Sequence, residues 1–354
     1  MKKNVLILIV CSFVLQACDD FVSQHLSFDD VTYVSDFPKR VELDEGNLID
    51  LDLMGCVDFF GNDSVLVFKM LGLEKHWKVC SIFDLSEGVD LLKKGNGPNE
   101  FVNMPSDEYF CQDENVCQAW SSDEKIIYQI DLSASLIEGD LHLDTTFRVP
   151  IDEMVLNCAS INDSSFFTVL YQFNSYRRCL LKEGDLQDLE HLKVINDVHI
   201  YKDLNSMAAI RRYEKSQNKV VEALLHLNQI NLYSLDDETF AKTICVGKSL
   251  TDLGRIDNSS KRSWVKYYGD VFTTSEYFAA LYFNASRKDF LSGKVQETDI
   301  QVYDWDGNPL LNITVPYQIE SFFIHRNKDL YVLSTKGEEE RLFKYDLGDL
   351  LAKQ

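Results

Sequence analysis

Short apolar runs separated by polar turns dominate the chain from about residue 38 onward. Several of these runs are apolar at consecutive positions instead of alternating with polar residues. A strand packed between two other sheets shows that pattern, whereas a strand in a one-sided sheet alternates. The runs lie at 65–70, 116–120, 166–173, 220–227, 277–283 and 330–334. Only the segment 218–227 is equally compatible with a helix, so the pattern predicts an all-β protein.

A second motif follows each run and marks a repeat. It is a strand that ends in an aromatic or apolar residue, followed by Asp or Ser and then by Leu or Trp. The Asp or Ser positions are Asp84, Asp131, Ser234, Asp304 and Asp346. Asp84 and Asp131 are 47 residues apart, and the next interval is about twice as long, so we expect a degenerate copy near residue 182. The interval before Asp304 predicts an insertion, for which the polar segment 251–262 is the candidate.

Six units with a period near 50 residues are typical of a β-propeller with four-stranded antiparallel blades. The last unit is one strand short, and the strand at 40–44 belongs to no unit. We therefore predict that an N-terminal strand closes the sixth blade, with 40–44 pairing beside 341–347. Such pairing removes an open sheet edge and ties the ends of the ring together.

The first 18 residues have the layout of a secretory signal, with Lys2 and Lys3 before an apolar stretch too short to span a bilayer. The segment ending at Cys18 resembles the bacterial lipoprotein box, which implies acylation of Cys18. The predicted organisation is a signal peptide at 1–17, a lipid-anchored spacer at 18–37 and a propeller domain at 38–354. Asp19 and Asp20 resemble a signal for export to the cell surface, and a periplasm-facing outer-membrane anchor is the alternative.

A glycine-rich turn at 95–101 opens the second unit. Gly95 and Gly97 tolerate backbone conformations that other residues resist, Pro98 fixes its own φ, and Phe101 follows as an apolar anchor. This turn and the strand ending at Asp131 resemble a blade of NHL-type propellers. Together with the lipoprotein box, the six degenerate blades over about 40–350 resemble the TolB-like six-bladed propeller lipoproteins. That resemblance implies the fold and a cell-envelope location, and it assigns no activity.

The formal net charge of −22 argues against nucleic-acid binding. It also predicts that the protein surface avoids anionic lipid headgroups, so that the acyl chains alone hold the protein to the membrane. Nine cysteines are present without the paired spacing of a zinc site. Cys111 and Cys117 flank a turn and could form a disulfide across a hairpin, or both could be buried thiols.

The innermost strands of a propeller line a central channel, and polar residues on those strands are the candidate site. These are Asp58, Glu108, Asn157, Arg211, Arg212, Lys266 and His325. They could bind a polar ligand, and Asp58, Glu108 and Asn157 could hold a divalent metal. The alternative is a set of solvated or mutually paired charges. The segment 304–308 suggests a calcium loop, but Asp-Gly between strands is ordinary hairpin chemistry.

The chain shows no compact catalytic motif, and we predict no catalytic residue and no cofactor. The favoured function is a non-catalytic binding module for a protein or glycan partner, presented by the loops of a rigid ring. The alternative is a metal-dependent hydrolase or lyase with calcium or another divalent metal in the channel.

Overall fold

The computed structural model describes residues 25–97, 99–106, 116–162, 164–172, 175–198, 203–334 and 339–352. The predictions for the segment 1–17 and for Cys18, Pro98, Glu108 and Cys111 concern residues outside these ranges. Within them, the strands pair into six sheets. No helix in the described ranges is long and apolar enough to cross a membrane.

Three short strands come first in the chain, and each joins a sheet whose other strands lie much later in the sequence. They are β1 (Val31–Val34), β2 (Arg40–Glu42) and β3 (Asn47–Ile49).

The next eleven strands build blades one to three. Blade one contains β4 (Cys56–Gly61), β5 (Val65–Met70), β6 (Lys75–Ser81) and β7 (Asp84–Lys93). Blade two contains β8 (Val116–Ser121), β9 (Ile126–Asp131) and β10 (Leu143–Arg148), and blade three contains β11 (Met154–Asn162), β12 (Ser165–Gln172), β13 (Ser175–Lys182) and β14 (Asp185–Asp188). In blade two, Ser106 forms an antiparallel bridge to Trp120 on β8. Ser106 therefore occupies the position of the innermost strand of that blade.

The last eleven strands build blades four to six. Blade four contains β15 (Ala209–Glu214), β16 (Lys219–Leu224), β17 (Gln229–Ser234) and β18 (Ala241–Val246). Blade five contains β19 (Val265–Thr273), β20 (Tyr277–Ser286), β21 (Thr298–Asp304) and β22 (Pro309–Val315), and blade six contains β23 (Ser321–His325), β24 (Asp329–Ser334) and β25 (Arg341–Asp346). The fold is thus the predicted all-β six-bladed propeller.

Short helices occupy the connections. They are α1 (Leu132–Glu138), α2 (Lys193–Asn196), α3 (Leu253–Asp257) and α4 (Arg287–Leu291), with 3-10 helices at Glu190–Leu192, Leu204–Met207 and Lys261–Ser263. The Asp131 side chain caps α1 by accepting a hydrogen bond from the Ala134 amide, and Gly139 ends the helix in the left-handed conformation. Helix α3 and the 3-10 helix at Lys261–Ser263 fill the predicted insertion between blades four and five.

In four blades the repeat motif marks the end of the third strand, whereas Asp84 begins the fourth strand of blade one. Asp131, Ser234, Asp304 and Asp346 are the last residues of β9, β17, β21 and β25. Lys182, at the place expected for a degenerate copy, ends β13. The ambiguous segment 218–227 is a strand over most of its length, because β16 is buried on both faces between neighbouring blades.

An N-terminal strand closes the sixth blade, as predicted, but it is β3 and not the segment 40–44. Strand β3 pairs antiparallel with β25, and Leu48 lies opposite Phe343. The segment predicted for that role forms β2 instead, which pairs parallel with β22 and becomes a fifth strand of blade five. Strand β1 is a parallel fifth strand of blade four in the same way. The first strands therefore fasten the outer edges of three successive blades.

The cores lie between neighbouring blades, as the consecutive apolar runs indicate. One cluster joins Val67 and Trp77 of blade one to Ala119 and Ile130 of blade two. Every residue of β17 is buried, including its polar ones. Since each sheet is covered on both faces, its central strands have no solvent side and need no alternation.

Buried thiols are part of these cores. Cys56, Cys80, Cys158, Cys179 and Cys245 are free and buried. Burial raises the pKa of Cys56 to about 12 and that of Cys245 to about 11, so these thiols behave as small apolar groups. Cys117 is also buried.

Candidate functional site

The innermost strands β4, β11, β15, β19 and β23 surround the central axis. Each begins at one face of the ring, which we call the lower face, and ends at the opposite, upper face in the turn that leads to the second strand. The turns at 62–64, 215–218, 274–276 and 326–328 therefore lie on the upper face. Connections between blades cross the lower face.

A chamber of about 750 Å³ occupies the upper part of the channel. Every blade contributes to its lining, through Phe60, Gln118, Ser160, Arg212, Asp270 and Phe322 among others. Lys215, Ser216 and Arg326 from the upper turns surround its mouth and are exposed. Phe272 is half-buried in its wall and lies edge-on to Phe323, with ring centroids 5.6 Å apart.

A smaller cavity of about 290 Å³ lies towards the lower face. It is lined by Asp58, Lys69 and Ser106, and it shares Arg212 and Asp270 with the upper chamber. Arg212 and Asp270 therefore form the waist between the two cavities.

Three polar residues of the inner strands directly follow irregularities in strand pairing. The pairing register shifts just before Asp58 in β4, before Asn157 in β11 and before Asp270 in β19. A β-bulge turns the side chain of the following residue away from its regular direction. Asp58 and Asp270 accept equivalent hydrogen bonds from the amide of the next residue. The Phe59 amide donates to Asp58 Oδ1 at 2.9 Å, and the Val271 amide donates to Asp270 Oδ1 at 2.7 Å.

Side chains near the axis also join one blade to the next. The Phe322 amide of blade six donates to Asp270 Oδ2 of blade five at 3.2 Å. The Phe59 amide of blade one donates to Ser321 Oγ of blade six at 3.3 Å. Between blades two and three, Gln118 Oε1 accepts from the Ser160 amide at 3.0 Å. Much of the polar chemistry at the axis therefore holds the ring together.

The charges at the waist occur in pairs. Lys69 Nζ lies 2.8 Å from Asp58 Oδ2, and an Arg212 guanidinium nitrogen lies 3.4 Å from Asp270 Oδ1. Burial, together with the charge of Asp58, raises the pKa of Asp270 to about 7, although Arg212 opposes the shift. In the described part of the chain, no three His, Cys, Asp or Glu side chains are grouped so that they could hold a metal ion.

The comparison with protein families agrees with this architecture. The model of the family described as "TolB-like 6-blade propeller-like" matches residues 57–327, more than half of the chain. The chain belongs to the TolB-like six-blade propeller family.

A solved structure supports the same fold. This TolB-like propeller is similar to an exported protein of Bacteroides fragilis NCTC 9343, with a TM-score of 0.52 and 13% identity over 90% of this chain and 100% of that chain. It is also similar to a DUF4221 family member from Bacteroides vulgatus, with a TM-score of 0.48 and 12% identity over 86% and 94% of the two chains. At such identities the likeness concerns the fold alone. No curated protein matches the sequence.

The TolB-like propeller brings two of the candidate residues to the same cavity, whereas Asn157 is in the lining of neither cavity. Asp58 and Arg212 line the lower cavity. Asn157 is buried, and neither atom of its side-chain amide has a hydrogen-bond partner among the described residues. Glu108, the remaining member of the proposed metal set, lies outside the described residues.

The structure places three other candidates away from the lining of either cavity. Arg211 is buried between blades three and four, where its Nε lies 2.9 Å from Glu222. Lys266 Nζ lies over the Phe290 ring at 4.1 Å, and burial lowers its pKa. His325 ends β23 against the next blade, with Nε2 3.3 Å from the Asp63 carbonyl oxygen. These side chains face neighbouring blades, because successive residues of an inner strand point to opposite blade interfaces.

The glycine-rich turn lies in the crossing from blade one to blade two. The Gly97 amide donates to Glu100 Oε2 at 2.8 Å, and a Cβ on Gly95 would clash with the same oxygen. Phe101 packs edge-on against Tyr128 at 5.1 Å. The turn positions the second blade and contributes no group to the chamber.

Asp270 is the waist residue that sequence reasoning missed. The predicted innermost strand offers Lys266 as the channel residue of blade five, but two register shifts in β19 bring Asp270 to the axis. Its signal was weak, since an isolated Asp within an aromatic strand is the only indication of a buried carboxylate.

Proposed function

We propose that this TolB-like propeller is a lipid-anchored cell-envelope binding module that takes part of a protein or glycan partner into its upper chamber. The observation that supports the proposal is the chamber itself, which is lined by all six blades and bordered by exposed polar turns. Rigid inner strands with variable turns at their ends are a suitable framework for binding.

The size of the chamber limits what can enter. About 750 Å³ lies within the range typical of sites for small ligands, and it is too small for a folded domain. A partner would therefore insert a short segment, either a few sugar units or a peptide loop. The half-buried Phe272 offers an apolar surface, and Lys215 and Asn327 offer hydrogen-bond donors at the mouth.

The waist carboxylates are accounted for by structural contacts, which favours binding over catalysis. Both oxygens of Asp270 accept backbone hydrogen bonds, one of them from the next blade. Asp58 is paired with Lys69. The hydrolase or lyase hypothesis instead requires a divalent metal in the channel, and it predicts that a chelator lowers the melting temperature.

The envelope location rests on the lipoprotein-like segment that ends at Cys18 and on the similar B. fragilis protein, which is described as exported. A mass of the mature chain that includes acyl groups on Cys18 would support the anchor. An N-terminus at any other residue would contradict it.

The proposal is tested by affinity isolation of the intact chain from detergent-solubilised membranes. We expect a stoichiometric partner that is lost with Lys215→Glu at the chamber mouth. Lys182→Glu is the matched control, since Lys182 is exposed on the same face at the outer end of β13 and does not line the chamber. Equal recovery of the partner with both variants, or no partner at all, would contradict binding at the chamber.

A further inference from the structure

Two segments form a compact surface on the lower face: 247–264, between blades four and five, and 287–297, between β20 and β21 of blade five. We call this surface the lower insertion. The Trp264 indole donates to the Ile256 carbonyl oxygen at 3.1 Å, and the Arg287 amide donates to the Trp264 carbonyl oxygen at 2.7 Å. Phe290 packs edge-on against Phe283 at 4.9 Å. Buried aromatic rings thus hold the two segments in a fixed arrangement.

The lower insertion is basic, although the protein is strongly acidic. It carries seven exposed cationic side chains, Lys248, Arg255, Lys261, Arg262, Arg287, Lys288 and Lys294. Its acids are Asp252, Asp257, Asp289 and Glu297.

Few of these cations are neutralised by ion pairs. Lys261 pairs with Asp203, and Lys294 lies 3.3 Å from Asp289. The other five form no ion pair within the described part of the chain. Leu291 stands among them with 73% of its surface exposed. Exposed cations around an exposed apolar side chain are the composition of surfaces that rest on anionic membranes.

The N-terminal segment joins the propeller beside this surface. His25 Nδ1 lies 3.2 Å from the carbonyl oxygen of Thr251, which belongs to the lower insertion. Leu26 is fully buried, and its carbonyl oxygen accepts from Gln229 Nε2 at 2.7 Å. Cys18 is seven residues before His25, and seven extended residues reach at most about 25 Å. A lipid on Cys18 would therefore hold the lower face close to the bilayer.

We propose that the lower insertion contacts the anionic lipid headgroups of the membrane, so that the upper chamber opens away from the bilayer. This inference rests on the proposed lipid anchor and is independent of whether a partner enters the chamber. The net charge predicts avoidance of anionic lipid, but charges farther away than about 10 Å are largely screened at 0.1 M salt. The local patch therefore governs the contact, and Leu291 adds apolar contact at the headgroup boundary.

The test places an environment-sensitive fluorophore on each face of the full chain, recovered with its lipid and reconstituted into vesicles. Leu291→Cys reports the lower insertion, and Ile137→Cys on α1 is the matched control on the upper face, where Ile137 is 85% exposed. The vesicles contain phosphatidylglycerol and phosphatidylcholine with brominated acyl chains as quenchers. The unsubstituted chain gives the labelling background of the native thiols.

We expect several-fold stronger quenching at position 291 than at position 137. This difference should disappear in vesicles of phosphatidylcholine alone, in 0.5 M NaCl, and in a triple variant with Arg255→Glu, Arg262→Glu and Lys288→Glu. Equal quenching at the two positions would overturn the orientation. Quenching at 291 that persists in the triple variant would overturn the role of the cations. Protection of the label by an acidic peptide, without quenching on vesicles, would make the surface a protein-binding site and refute the lipid contact.

Discussion

The fully buried ion cluster between blades three and four gives the sharpest prediction about stability. Glu222 on β16 accepts hydrogen bonds from Arg178 Nε at 2.7 Å, Arg211 Nε at 2.9 Å and the Tyr233 hydroxyl at 3.3 Å. The side chains of Arg178 and Glu222 are completely buried. Glu222→Gln keeps the shape of the side chain but removes the negative charge that pairs with both Arg178 and Arg211.

The cost can be estimated in two ways. Removing one partner of a buried ion pair typically costs about 3–5 kcal/mol. Independently, burial opposes ionisation of Glu222, but the charges and hydrogen bonds of Arg178 and Arg211 outweigh it and hold its pKa at about 2, below the ordinary 4.5. At 1.36 kcal/mol per pKa unit, that difference corresponds to about 3 kcal/mol. The two estimates agree, and for a chain of this length the loss should lower the melting temperature by about 4–7 °C.

The pH dependence separates this explanation from a general packing defect. Because the folded state holds the pKa of Glu222 below its unfolded value, the stabilisation is complete above about pH 5 and is lost as the pH falls towards 2. Thermal melts followed by circular dichroism should show a large difference between wild type and Glu222→Gln at pH 7, and a smaller one at pH 3.

The control is Asp188→Asn, which removes the exposed ion-pair partner of Arg177 within blade three and should change the melting temperature little. If Glu222→Gln melts like the wild type at pH 7, or if the difference does not depend on pH, the buried cluster does not have the assigned energetics.

Two further predictions concern the waist and the closure of the ring. Burial raises the pKa of Asp270 from 3.8 to about 7, so the wild-type free energy of unfolding should decline as the pH rises from about 4 to 8. Urea titrations should show that this decline is absent in Asp270→Asn. If the variant and the wild type have identical pH profiles, the assignment is refuted. Leu48→Pro in β3 should lower the melting temperature more than Val41→Pro in β2, because β3 closes blade six whereas β2 adds a fifth strand to a complete blade. Equal losses of melting temperature in the two variants would contradict the closing role of β3.

The blade architecture could be predicted because it is encoded locally. A turn residue such as Asp304 or Asp346 ends the third strand in four of the six blades, and runs of apolar residues form the second strands. These signals repeat with the period of the fold, so the sequence alone identifies the number of blades and most strand positions. Even Lys182, where the motif is degenerate, could be placed from the spacing.

The partners of the N-terminal strands could not be predicted in the same way. The segment at 40–44 has strand character, but nothing in its residues distinguishes the edge of blade five from that of blade six. A three-residue parallel pairing such as Arg40 with Asn312 carries little register information. Only the spare strand in the sequence indicated that an N-terminal segment would close the ring.

The position of Asp270 depends on bulges, which a periodic pattern does not reveal. Two register shifts in β19 lie between Lys266 and Asp270, and Asp270 faces the axis in place of Lys266. Arg211 and Arg212 are adjacent in sequence, yet one binds Glu222 between blades and the other lies at the waist. The buried position of Arg211 follows from the ion cluster in which Glu222 also binds Arg178, a residue 44 positions earlier in the chain. A local sequence pattern does not contain that contact.

The pairing of the first strands has a consequence for the order of folding. Val31 pairs with Thr243, Arg40 with Asn312 and Ile49 with Leu342, so each contact spans more than 200 residues and can form only after the later strand is available. Contacts so distant in sequence form slowly and late. If the chain is secreted from its N-terminus, β1, β2 and β3 would cross the membrane unpaired, and the ring would close only after β25 had emerged. In that case the last strand of the chain would determine when the first strands fold.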